Sequence, residues 1–175
     1  DKLIVPRSQL IELTKGSLTL GSLIVEPFSV SHDAADPIGI NVFAGNNKAT
    51  IVTDTGVISD DVLRRIDDTT LLVLEANYDP HMLRFGPYQP FLKQRVASDE
   101  GHLSNEMAAQ ALLMMKRPDF MQVILAHRSE NNNNAVLVTQ TIGKMLVDGG
   151  VRIGPEMKLQ HGQPNEIVSI QSVER

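Results

Sequence analysis

Two uninterrupted apolar runs, TTLLVLEAN at residues 69–77 and MQVILAH at residues 121–127, constrain the fold of this chain most tightly. A strand with one wet face alternates apolar and polar side chains, whereas a run apolar at nearly every position is covered on both faces. Helical patterns lie between and after these runs. Ser104 opens one, with Met107, Ala108, Ala111, Leu112 and Met115 on a single face, and Arg117-Pro118 closes it because proline disfavours helix in the preceding residue. Another covers residues 135–147 through Ala135, Val138, Ile142 and Leu146 and stops at Gly149-Gly150. A third is capped by Ser59, has Asp60 and Asp61 at its positive end, and runs through Asp68. The reading is an α/β domain.

The first third of the chain adds shorter strands. SLTL and SLIVEPFSV, split by Gly21, read as a hairpin or bend, and IGINVFA and ATIVTD flank Gly45-Asn46-Asn47-Lys48, residues that tolerate a hairpin's positive φ. A short helix is expected at residues 8–14, one or two more around Pro80, Pro87 and Pro90, and a last strand at residues 166–173. No repeat or long linker divides the 175 residues, which make one domain. There is no cysteine, so disulfides, thiolate metal sites and a cysteine nucleophile are excluded. No apolar run reaches the ~18 residues of a membrane span, and DKLIVPRSQL lacks a signal-peptide core, so the expected location is the cytoplasm. That start also lacks an initiator Met, a hint that something upstream is absent.

Chemistry gathers at strand ends. FSVSH closes on His32, ATIVTD on Asp54, TLLVLE on Glu75 and MQVILAH on His127. The carboxyl ends of strands in an α/β sheet converge on one edge, where ligands bind. His102 stands in a loop just before a helix N-terminus, a suitable place for an anion or a developing oxyanion. One such residue alone is more often a cap, and Glu75 beside Asn77 and Asp79 can simply solvate a loop. Four together with a fifth in the loop favour a metal or acid–base site.

The stretches SVSHDAADPIG, VTDTG, LEANYD with HMLRFGPY and LKQRV, GHLSNE and LAHRSENNN resemble, in order, the metallo-β-lactamase superfamily. Within it they are most similar to the YycJ/WalJ branch, with tRNase Z a more distant relative. The resemblance covers roughly residues 28–135. It implies the αββα sandwich, of which this chain would be the C-terminal half plus the end of the N-terminal half only. It also implies two divalent ions, zinc or else manganese or iron, with His32 on the first, Asp54 bridging both and His127 on the second. His102 would donate a proton to the leaving oxygen or hold the phosphoryl group, and Glu75 would be its acidic partner.

The superfamily's His-x-His-x-Asp-His run is missing: the five histidines are His32, His81, His102, His127 and His161. The expectation is therefore an incomplete domain lacking upstream residues, inactive or weakly active alone, with an apolar sheet face exposed for the missing half or for self-association. The rival is a protein that has lost catalysis, a binding or regulatory fragment.

The resemblance further implies a nuclease, a phosphodiesterase of DNA exonuclease type. Net charge is −5, so positive potential has to be local. Residues 80–98 supply it, with Arg84, Lys93 and Arg95, no acidic residue, and the aromatics Phe85, Tyr88 and Phe91. These basic residues and Ser104 are the candidate substrate contacts, although the aromatics equally suit a helix pair that buries them. Lactone, thioester or β-lactam substrates are the alternatives within hydrolases. Asn134 reads as a helix cap, the Met114-Met115 stretch as core, and His81 and His161 as surface residues.

Overall fold

The computed structural model describes residues 16–163 without interruption, together with residues 5, 6, 11, 13 and 166–170. In chain order the elements are β1 (Leu18–Leu20), β2 (Leu23–Ser29), β3 (Ile38–Ala44), β4 (Asn47–Val52), α1 (Asp60–Ile66), β5 (Leu71–Glu75), α2 (Pro80–Phe85), α3 (Pro90–Val96), α4 (Asn105–Met114), β6 (Met121–Ala126), α5 (Ala135–Asp148) and β7 (Met157–His161). All seven strands lie in one sheet in the order β1 to β7. The first four pair antiparallel and the last four parallel.

The hairpins behave as their glycines require. Gly21 and Gly45, at φ 61° and 58°, each stand first in a two-residue turn, where side chains other than glycine are strained. Ser59, Ser104 and Asn134 accept the amides of Val62, Met107 and Leu137, so each caps the helix expected of it.

Two features depart from expectation. The last strand is Met157–His161; residues 166–170 are irregular and the rest of the expected strand lies outside the described residues. Met157 and Leu159 pack inward while Lys158 and Gln160 interrupt the run, so this strand has too little apolar content to stand out. Ile167, in the tail, is 97% exposed. Met115 is buried, as expected, but its neighbour Met114 faces solvent. The short helix at residues 8–14 lies outside the described residues apart from 11 and 13.

Helices α1, α4 and α5 cover one face of the sheet. Val52, Leu72, Leu74, Val123 and Leu125 meet Val62 and Ile66 of α1, Ala108 and Leu112 of α4, and Val138, Ile142 and Leu146 of α5 in one continuous core. The opposite face carries a row across four strands, Ile40, Ile51, Val73 and Ile124, set by the strand register. Along this row Ile51 is 42% exposed, whereas Ile124 is buried and lies beside Gly162. Among the described residues no helix is long and apolar enough to cross a membrane.

The two faces make opposite predictions. Leu74→Ala, on the helix side, should reduce stability by about 2–5 kcal/mol in denaturant unfolding. Ile51→Ser, on the opposite side, should change it by no more than about 0.5 kcal/mol.

Candidate metal centre

Sheet topology brings the site together. Two antiparallel reversals leave β2 and β4 running the same way, and β5 and β6 continue that direction. His32, Asp54, Glu75 and His127 therefore all lie at or just beyond one sheet edge. Asp54 and His127 have left-handed backbones, at φ 54° and 52°, which turn each chain sharply off its strand. Such a conformation costs about 1–2 kcal/mol in a residue with a Cβ, so surrounding bonds must hold it. Asn77 does this for His127, donating from Nδ2 to its carbonyl oxygen at 2.8 Å.

Glu75 is at the centre and has no exposed surface. Its Oε1 accepts from Nδ1 of His102 and from Nδ1 of His127, both at 2.7 Å. Its Oε2 accepts from the Thr55 amide at 3.0 Å and the Leu103 amide at 3.4 Å. Burial alone pushes the carboxyl up, but the bonds from His102, His127 and Thr55 outweigh it and hold it below the usual carboxylate range. The Glu75 hydrogen bond holds His127 above the ordinary imidazole range against the opposing effect of burial.

His32 follows the same rule. Its Nδ1 bonds the Gly101 carbonyl oxygen at 2.9 Å, and a carbonyl can only accept, so Nδ1 carries the proton. Gly101 has to be glycine: a Cβ there would collide with the carbonyl oxygens of Arg95 and Val96. All three histidines thus spend Nδ1 on the protein and leave Nε2 for other work. The rings stand side by side, with centroids 5.1 Å apart for His32 and His102 and 5.2 Å for His102 and His127.

Asp54 completes the arrangement. Its Oδ1 lies 3.8 Å from Nε2 of His32 and 3.6 Å from Nε2 of His127. Ligand atoms on one tetrahedral ion stand ~3.3 Å apart, so these separations suit shared divalent ions with the carboxylate between them. Donor atoms of His32, Asp54 and His102 lie within 4.8 Å of one another, as do those of Glu75, His102 and His127. The donors are neutral imidazole and carboxylate, the set favoured by zinc, iron and manganese.

No protein-family model matches the sequence. Over 170 residues it is 34% identical to exodeoxyribonuclease YycJ of Bacillus anthracis, which covers 97% of this chain and 64% of that protein. Exodeoxyribonuclease WalJ of Streptococcus pneumoniae is 33% identical over 147 residues, 84% of this chain and 55% of that one. The solved metallo-β-lactamase fold protein YhfI of Bacillus subtilis aligns at a TM-score of 0.58 and 14% identity, over 82% of this chain and 49% of that one. The chain is a YycJ/WalJ-like protein of the metallo-β-lactamase fold. It spans less than two thirds of the length of these curated relatives, at 64% and 55%.

In this YycJ/WalJ-like chain the candidate substrate residues fall in different places. Arg95 lines a cleft of about 330 Å³ with His102, His127 and Tyr88, and its guanidinium is paired with Asp33. Lys93 donates to the Arg84 carbonyl, and the Arg84 guanidinium lies over the Phe85 ring. Ser104 is buried and its hydroxyl caps α4. Phe85 and Phe91 are 67% and 71% exposed, so they do not fill a core; Tyr88 and Leu92 pack on Tyr78, Leu83 and Val96 instead. His81 is exposed and stacks on Phe85.

Sequence reasoning missed the asparagine struts. Asn77 is buried, and its backbone bonds Leu103 and Ser129 while its side chain holds His127. Asn105 and Asn133 exchange side-chain bonds at 3.1 and 2.8 Å, and Asn133 also donates to the Ala76 carbonyl. The available signal was position: each asparagine stands within a few residues of a candidate ligand or of the His102 loop.

Replacing Glu75 by Gln removes the charge that both Nδ1–H groups meet. Zinc affinity measured by calorimetry should fall ~10–100-fold while far-UV circular dichroism keeps the folded signature. Unchanged affinity would show that Glu75 does not orient the ligands.

Proposed function

We propose that this chain supplies the acid–base machinery and part of the metal ligation of a divalent-metal phosphodiesterase, an exonuclease-type enzyme acting on DNA. The observation that carries the reading is the double use of Glu75, which orients a ligand-type histidine and a cleft-facing histidine with one oxygen. In this reading His32 and His127 hold one ion each, Asp54 lies between them, and an upstream His-x-His-x-Asp-His run supplies the remaining ligands. Two such ions supply Lewis acidity and a hydroxide nucleophile near neutral pH.

The chain's own residues do the rest. His102 presents Nε2 to the cleft it lines with His127 and Arg95, and donates a proton from that atom to the leaving oxygen. Glu75 holds the ring by Nδ1 and so fixes the orientation in which Nε2 meets the cleft. Gly101 and Leu103 fix the loop on either side: Gly101 bonds His32, and Leu103 bonds Glu75 and Asn77. The apolar row of Ile40, Ile51 and Val73, with Ile51 exposed, would suit a second sheet of the same sandwich packed ~10 Å away.

A polynucleotide suits the flank of this cleft. Phe85 and Phe91 are exposed rings beside Arg84 and Lys93, on a segment without acidic residues. Aromatic faces stack on bases and cations follow the backbone. The names of the curated relatives, exodeoxyribonucleases, agree with this chemistry.

The test is hydrolysis of end-labelled DNA, with zinc or manganese, by protein that includes the upstream His-x-His-x-Asp-His run. His102→Ala should lower kcat ~10²–10⁴-fold while metal content stays the same. Asp54→Ala should lose metal and activity together. Undiminished hydrolysis in both variants would refute the assignment of roles.

A further inference from the structure

Arg128 follows His127 directly and plays no part in the chemistry above. It stands on a ridge between two clefts. On one side is the 330 Å³ cleft of His102 and Arg95. On the other is a larger one, of about 590 Å³, walled by Ala126, Asn133, Asn134, Ala135, Gly162 and Gln163. His127, Arg128 and Glu130 belong to both walls.

The guanidinium is held there without a partner. Its Nη1 is buried and makes no hydrogen bond, and Arg128 makes no ion pair among the described residues. Other basic side chains here are matched to carboxylates: Arg95 to Asp33, Lys116 to Asp68, Arg152 to Glu156. Glu130, the carboxylate shared by the two clefts, is exposed and leaves Arg128 unpaired. Next to this wall, His161 of β7 bonds Thr139 through Nε2 and has a buried, unpartnered Nδ1. A buried donor without an acceptor is unfavourable, and a bound acceptor relieves it.

The acceptor that fits is an anion with several oxygens. A guanidinium presents a planar fork that phosphate oxygens match two at a time. The 14-residue helix α5 begins at this cleft, with Asn134 and Ala135 in its wall, and its positive end adds to the attraction. Both His127 and Arg128 line the two clefts, so a strand that crosses the ridge meets both residues.

We propose that Arg128 binds the phosphate next to the scissile one, on a polynucleotide that crosses the His127–Arg128 ridge from one cleft to the other. The proposal rests on the phosphodiesterase reading and adds a second phosphate site to it. Oligonucleotide substrates would then be preferred over single phosphodiesters for a reason separate from base stacking.

The experiment pairs Arg128→Ala with oligodeoxynucleotides carrying one neutral methylphosphonate on either side of the scissile bond. Wild-type protein should lose ~10–100-fold in kcat/KM when one of the two neighbours is neutralised. Arg128→Ala should show that loss on the unmodified strand and no further loss on the modified one, and Arg128→Lys should recover part of it. In fluorescence-anisotropy binding to unmodified single strand, the slope of log K against log salt should shrink by ~0.7 in the alanine variant. A merely structural Arg128 predicts that Arg128→Ala keeps the full sensitivity to the methylphosphonate, and that result overturns the proposal. If protein that includes the upstream ligand run cleaves no oligonucleotide, the phosphodiesterase reading fails, and an unchanged salt slope then removes the phosphate site as well.

Discussion

One buried carboxylate governs the site. Glu75 ends β5 with no exposed surface and accepts four hydrogen bonds, from His102, His127 and the amides of Thr55 and Leu103. An ion in that position is tolerated only when every lone pair is engaged. The four donors come from three loops besides its own strand, so the charge fastens the Asp54 loop, the His102 loop and the His127 loop to one point. It also decides which nitrogen of two rings faces outward.

The sheet makes that convergence possible. An antiparallel meander of β1 to β4, followed by strands parallel to β4, sends four chain ends to one edge. The left-handed backbones of Asp54 and His127 then turn their side chains across the edge instead of along it. Helices on one face provide the core that keeps the edge rigid, while the other face leaves Ile51 exposed on β4.

Much of this was legible from residue order. The runs at β5 and β6 are apolar at nearly every position because little of either strand is exposed, and the caps at Ser59, Ser104 and Asn134 act through their own side chains. Those signals are local. The strand β7 was not legible, since it gains its place by pairing with β6 and has only Met157 and Leu159 to mark it. Asn77, Asn105 and Asn133 were equally silent: an asparagine that ties two loops looks the same in sequence as one that solvates a loop. Glu75 was seen as a partner of His102 alone, because its bond to His127 depends on strands 50 residues apart meeting in register. The exposed rings of Phe85 and Phe91 were undecidable for the same reason, as burial is a property of neighbours and not of the residue.

The claim on which the account depends is that the protein holds three imidazoles by Nδ1 and turns their Nε2 atoms to the edge of the sheet. Nitrogen-15 NMR of the histidine rings in metal-free protein, at a pH where they are neutral, tests it directly. His32, His102 and His127 should each report a protonated Nδ1 and a bare Nε2, and Glu75→Gln should disturb the latter two while leaving His32 as it was. Protonated Nε2 in His102 or His127 of the unaltered protein would contradict the account.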